Sequence, residues 1–259
     1  MLRSQRMRGF TLIECLVAMS LGLIVTHLAL TTWQTSQQSW LAVAAQHNLQ
    51  HNARAALDAI AKQTELTSAA VLMSSADGAG VTLDPSWSPS ALSLTTSLPT
   101  PPPKVFATDN ARGGDTLQLS HLRSVDASDC QGNQRGTDAW VQSQFQRSTS
   151  TALDFSCKDV RADGSTYQAL AEGVEDFQVQ LAEVSVDAHS LQWLSPSAVT
   201  DWRRVVAIEV CLRLASPTVH ATAPSRLRGC AGEALPADGH LRRVVRRVMR
   251  VQQRGAFDG

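Results

Sequence analysis

The sequence predicts an α+β protein: a long N-terminal helix, its first half transmembrane, packed on an antiparallel β-sheet head. Three observations predict it. An apolar run from Phe10 to about Thr32 carries Glu14 as its only formal charge. No proline interrupts Phe10 to Val71, and beyond Trp40 the apolar residues recur at helical spacing. From residue 116 onward the pattern changes to alternation of apolar and polar residues, the period of a half-buried strand.

The chain begins with a short basic segment, residues 1–9, holding Arg3, Arg6 and Arg8 and no acid. The apolar run after it, residues 10–32, meets the length of about 20 residues that a bilayer-spanning helix needs. Basic residues before the span hold the N-terminus in the cytoplasm and send the rest outward. A secretory signal would be shorter and end in a small-residue cleavage site; this run ends instead in the polar QTSQQSW. A plain signal-anchor accounts for everything but Glu14, because a charge in hydrocarbon is costly and calls for a functional partner.

Residues 33–72 read as the amphipathic second half of the same helix. Leu49, Ala53, Ala56, Leu57 and Ile60 form its apolar stripe, and Gln46, Gln50, Arg54, Asp58 and Lys62 belong to the polar face. A helix from Phe10 to about Thr67 extends roughly 85 Å at 1.5 Å per residue. Residues 73–115 read as a connecting loop rich in Ser, Thr and Pro, with PTPPP at 99–103 and a short element at 91–94.

The head is expected over 116–259. Leu117 and Leu119 alternate with polar residues, as do Leu153, Phe155 and Cys157, and Phe177, Val179 and Leu181. In VVAIEVCLRL, Val206, Ile208, Val210, Leu212 and Leu214 share one face and Ala207, Glu209, Cys211 and Arg213 the other. The ending LRRVVRRVMRVQQR fits a helix through Leu241, Val244, Val245 and Val248, or an edge strand through Val244, Arg246, Val248 and Arg250. Its arginines form a solvated face or a patch for phosphates or acids.

Lys+Arg and Asp+Glu both number 23 and aromatic residues make up 5%, so neither net charge nor stacking capacity points to a nucleic-acid binder. Of 5 cysteines, Cys15 lies in the apolar run; Cys130, Cys157, Cys211 and Cys230 allow two disulfides in three connectivities. Cys130–Cys157 with Cys211–Cys230 closes the shortest loops and is the expected scheme. Bridged cysteines place their domain in an oxidising compartment. A zinc site competes, but no CxxC pair occurs and His189, His220 and His240 are scattered. No nucleophile elbow, zincin helix, phosphate loop or dinucleotide fingerprint is present, and DGAG and ADGS are turn chemistry. The sequence predicts no enzyme, no catalytic residue, no metal and no cofactor.

RGFTLIE, residues 8–14, resembles the type IV prepilin signal: a Gly, a cleavage point, a Phe, and a Glu four residues further on. The resemblance implies a leader at 1–9, cleavage by prepilin peptidase between Gly9 and Phe10, and N-methylation of Phe10. It also implies that Glu14 is an assembly carboxylate, meeting the Phe10 ammonium of a neighbouring subunit in a filament. Coulomb attraction in low dielectric offsets much of the desolvation of such a pair. Cleavage exposes that ammonium, so the pair forms only after processing.

LAEGVEDFQVQL (170–181) and WRRVVAIEVCLRL (202–214) are similar to segments of the PilW family of minor pilins. The departures are Glu183, where that family often has Tyr-Gly, and the Cys211–Cys230 pair. The resemblance implies a minor pilin that primes type IV pilus assembly and sits at the pilus tip. Its implied partners are the prepilin peptidase, other minor pilins, the major pilin and a tip adhesin. Its implied place is the inner membrane, single-pass, with the head in the periplasm. Two alternatives stay open: a GspJ-like pseudopilin of type II secretion, and a DNA-binding minor pilin using the C-terminal arginines.

Overall fold

The computed structural model describes residues 11–68, 72–74, 81–83, 103–110, 114–122, 128–133, 140–148, 153–185, 190–219 and 227–251. Gly9, Phe10, the 91–94 element, His189 and His220 lie outside the described residues. The chain divides into two compact units, Met1–His47 and Asn48–Gly259.

One helix, α1 (Leu12–Ser68), runs without a break, as the absence of proline predicts. In the first unit its apolar side chains, Leu12 to Leu30 among them, are exposed. It is long and apolar enough to cross a membrane. Five of its hydroxyls are satisfied within the helix: Ser20 donates to the Val17 carbonyl, Thr26 to Gly22, Thr31 and Thr32 to Leu28, and Thr35 to Thr31. Such back-bonding spares these donors exposure to hydrocarbon.

The second unit holds two principal antiparallel sheets and a small hairpin. The hairpin pairs β1 (Leu72–Ser74) with β2 (Val81–Leu83). A five-stranded meander follows in chain order: β3 (Val105–Thr108), β4 (Thr116–Leu122), β5 (Trp140–Arg147), β6 (Phe155–Asp159) and β7 (Gln168–Ala171). The four-stranded sheet contains β8 (Val174–Val184), β9 (Leu191–Leu194), β10 (Val205–Val219) and β11 (His240–Arg250), in the order β11-β10-β8-β9.

The architecture is α+β with antiparallel pairing throughout, as expected, and the head divides into two principal sheets. Two expectations are corrected. The 73–115 segment is not merely a connection, because it contributes β2 and β3, and β3 pairs with β4 from Val105↔Leu119 to Thr108↔Thr116. Those strands of three or four residues give too short a period-two signal to stand out from Pro- and Ser-rich surroundings. In β10 a register shift between Val205 and Ala207 turns Val205 into the core and leaves Val206 half-exposed, although simple alternation assigns Val206 to the core. Beyond the bulge Ile208, Val210, Leu212 and Leu214 are fully buried.

The core of this unit draws on every layer. Leu49, Ala53, Ala56 and Ile60 of α1 are buried with the inner faces of the sheets. Phe155 joins the two principal sheets: its ring lies 6.0 Å from Phe145 of β5 and 5.0 Å, edge-on, from Phe177 of β8. A polar peg fixes the helix to the five-stranded sheet. Buried Gln63 donates Nε2–H to the Ser128 carbonyl at 3.0 Å, and its Oε1 accepts from Ser143 Oγ at 3.1 Å and lies 3.2 Å from His121 Nε2. A buried amide is tolerable when its valences are filled in this way.

Two glycines permit close backbone approach. Gly114 has φ +83°, and a Cβ there would stand 2.7 Å from the Phe177 carbonyl oxygen. Gly173 has φ +76°, and a Cβ there would stand 2.7 Å from the Ala215 carbonyl oxygen. Gly173 opens the GVED segment, so that part of the family-like pattern has a steric cause.

Candidate functional site

The first turn of α1 is built by TLIE. Thr11 donates its backbone N–H and its hydroxyl to Glu14 Oε2, each at 2.9 Å, and its Oγ1 accepts the Glu14 N–H at 3.4 Å. This is a capping box, in which residues three apart satisfy each other's first-turn groups. Reading Glu14 only as a charge in an apolar run misses Thr11; the S/T-x-x-E spacing was the available signal. Both Thr11 bonds fall on Oε2, and neither uses Oε1. Cys15, next along the helix, is exposed and unbridged.

In the head, Cys130 is joined to Cys157 with Cα atoms 6.3 Å apart, and Cys211 to Cys230 at 5.8 Å. The first bridge ties the 128–133 turn to β6. Its turn is also fixed by the Cys130 N–H donating to Ser143 Oγ and by Asp129 Oδ1 accepting from the Gln131 and Asn133 amides. The second bridge ties the 227–239 segment to the centre of β10. Among the described residues no three His, Cys, Asp or Glu side chains converge where a metal ion would sit.

Residues 133–252 match the family model described as type IV pilus-assembly protein W, and residues 4–30 match the prokaryotic N-terminal methylation motif. Over these two segments the chain is similar to PilW-type minor pilins and to the N-terminal segment of type IV pilins. A type IV-like pilin from Thermus thermophilus is similar in structure, at 17% identity and TM-score 0.36, over 58% of this chain and 86% of that one. No curated protein shows significant similarity to the chain.

Arg242, Arg243, Arg246, Arg247 and Arg250 belong to β11, so over His240–Arg250 the ending is a strand and not a helix. Much of their charge is taken up internally. Arg242, with 5% of its side chain exposed, forms bidentate pairs with Glu175 at 2.8 and 2.9 Å and with Asp238 at 2.6 Å. Hydrogen bonds from Arg242 hold Asp238 below the usual carboxylate range. Arg213 adds contacts to Glu175 at 3.1 Å and Glu233 at 2.5 Å. Arg246 pairs with Glu209 and donates to the Cys230 carbonyl, and Arg247 pairs with Asp58 of α1. Guanidinium groups engaged in this way are poorly placed to neutralise phosphates.

Two carboxylates link segments of the head. Glu183 is buried at the end of β8. It accepts from Thr200 N–H at 2.9 Å, Thr200 Oγ1 at 2.5 Å, Asp201 N–H at 3.1 Å and Arg204 Nη2 at 2.7 Å. Burial raises its pKa, but these hydrogen bonds and the Arg204 charge outweigh burial and hold it below the ordinary value. Its departure from the family pattern is thus a local anchor for the turn before β10. Asp115, beside Gly114, accepts the Val179 N–H at 2.8 Å and donates its own N–H to the Phe177 carbonyl at 2.7 Å, tying the start of β4 to β8. Burial pushes its pKa up to about 6, with Asp109 and Asp176 adding repulsion.

Proposed function

We propose that this chain is a minor pilin that helps to prime type IV pilus assembly and takes its place at the pilus tip. The reading rests on Glu14, a carboxylate in the first turn of an exposed apolar helix, within a segment that matches the methylation motif. The leader, residues 1–9, is removed by prepilin peptidase between Gly9 and Phe10, and Phe10 is methylated. The helix rests in the inner membrane and the head folds in the periplasm, whose oxidising chemistry suits two disulfides. Glu14 Oε2 stays with Thr11 while Oε1 receives the Phe10 ammonium of a neighbouring pilin. Water-free surroundings then strengthen the pair. Other minor pilins, the major pilin and a tip adhesin are its assembly partners.

The deciding experiment pairs a deletion strain with mass spectrometry of the N-terminal peptide from native membranes. The expected results are few surface pili, lost twitching, and a methylated peptide starting at Phe10 that disappears without the peptidase. Normal piliation with a failure of protein secretion would move the chain to the type II secretion machine. An uncleaved Met1 terminus in both strains would remove it from the pilin class.

A further inference from the structure

Between Glu14 and Arg54 the chain carries no Lys, Arg, Asp or Glu. The outer end of the apolar part of α1 therefore has no charge to hold it at the surface of a bilayer. Charged side chains and amphipathic rings are the common anchors at that level. Here the groups available are two indoles. Trp33 follows directly on the apolar run, and Trp40 stands beyond the polar stretch QTSQQS. They are 64% and 67% exposed.

Seven residues turn an α-helix by about 700°, so the two rings lie on one face of α1. Around Trp33 the hydroxyls of Thr31, Thr32 and Thr35 turn back on helix carbonyls, whereas the indole stands clear of the helix. An indole joins an apolar body to a single N–H donor, which suits the layer where acyl chains meet headgroups. The other end of the span has a matching mark. From Glu14 to Trp33 the helix rises about 28 Å, against a hydrocarbon core of about 30 Å. With Trp33 at the outer boundary, Glu14 falls at the inner one.

We propose that Trp33, backed by Trp40, docks on the outer lipid interface of the membrane and sets the depth of α1, holding Glu14 at the inner interface. Side chains of a helix lean toward its N-terminus, which brings the Trp40 ring back toward the headgroups. The proposal rests on the transmembrane placement of α1 given above. Arg3, Arg6 and Arg8 anchor the inner side only while the leader is attached. Once the leader is removed, no basic side chain before Arg54 is left to fix the helix, and the indoles remain. Glu14 then keeps contact with water while the subunit is in the membrane. It gives that contact up only on leaving the bilayer for a filament.

The test uses Cys15, the free thiol beside Glu14, as a depth gauge. The full-length chain, disulfides intact, is labelled there with a nitroxide and reconstituted in vesicles of phosphatidylethanolamine and phosphatidylglycerol. Relaxation by dissolved oxygen against a water-soluble nickel chelate reads the depth of the label. In the parent the label is expected near headgroup level. Moving the indole inward by a turn, with Trp33→Gln and Ala29→Trp, should sink the label by about 6 Å. Moving it outward by a turn, with Trp33→Leu, Gln34→Leu and Gln37→Trp, should raise it by about 6 Å. The proposal is overturned if the parent label lies near the bilayer centre. It is overturned equally if the variants leave the depth unchanged or shift it in one direction, as they would if the indoles served a neighbouring protein helix. Release of the chain by an alkaline wash would refute the span itself and the proposal with it. A chain that stays in the vesicles while its label ignores the variants would refute the depth setting alone.

Discussion

Thr11 and Glu14 close the first turn of α1 on each other, with both Thr11 donors placed on a single carboxylate oxygen. The carboxylate thus has a structural task at the positive end of the helix dipole as well as the intersubunit task proposed for it. The two tasks separate by mutation. Glu14→Gln keeps an acceptor for Thr11 and loses the charge, so the protein should be processed at Gly9–Phe10, remain in membranes and be missing from sheared pili. Thr11→Val keeps the charge and loses the hydroxyl, so incorporation should fall less. Immunoblots of membrane and sheared fractions, with the N-terminal peptide mass, check both outcomes.

Asp115 makes the head pH-dependent in a direction opposite to most carboxylates. Its folded pKa of about 6 lies above its ordinary value of 3.8. Between those values the folded state keeps a proton that the unfolded state has released, so this residue's contribution to stability falls as pH rises through the window. Asp115→Asn retains an oxygen for the Val179 amide and removes the titration. The variant should match the parent below about pH 4 and exceed it at pH 7. Denaturant midpoints at the two pH values decide the matter.

Glu183 behaves in the opposite sense. Its folded pKa is held low, so the stability it supplies is present above the ordinary carboxylate range and is lost as pH falls through the folded value. Glu183→Ala removes the acceptor for two amides, a hydroxyl and Arg204, at a cost of about 3 kcal/mol. The loss should be smaller in acid, measurable as a converging difference in unfolding midpoint.

The disulfides close loops with sequence separations of 27 and 19 residues. Loop-closure entropy predicts about 3–4 kcal/mol for each when its pair is replaced by serine. Alkylation of the intact folded chain should label Cys15 alone, and peptide mapping should recover Cys130 with Cys157 and Cys211 with Cys230. Recovery of any crossed pair would contradict the geometry.

Arg242 is far more enclosed than Arg246 or Arg247 on the same strand, and Arg242→Ala leaves Glu175 and Asp238 without their shared partner. The expected loss is about 3 kcal/mol of head stability. Duplex DNA affinity at low salt should be negligible in the parent and unchanged in the variant, because the side chain already serves carboxylates. Tight, salt-sensitive DNA binding by the parent would revive the uptake reading.

Much of the helix and the main strands was legible in the chain because their signals are local. A predominantly apolar run over residues 10–32 implies a span whatever it later contacts, and Phe177, Val179 and Leu181 declare an inward face by period alone. The Thr11–Glu14 box was equally local and was masked by attention to charge. β2 and β3 were not legible, since strands of three or four residues carry almost no period and are held by partners elsewhere.

By itself, then, the sequence determined the apolar α1 segment, the single acid in its first turn, the alternating faces of β8 and β10, and the prepilin-like start. Each of these depends on residues within one or two turns or a few strand positions of one another. Tertiary structure decided the division into two principal sheets and the bulge that turns Val205 inward. It also decided the pairing of Arg242 with Glu175 and the satisfaction of Gln63 by Ser128 and Ser143. Those depend on groups 65 to 80 residues apart meeting in space, and on a strand order that sets β10 between β8 and β11.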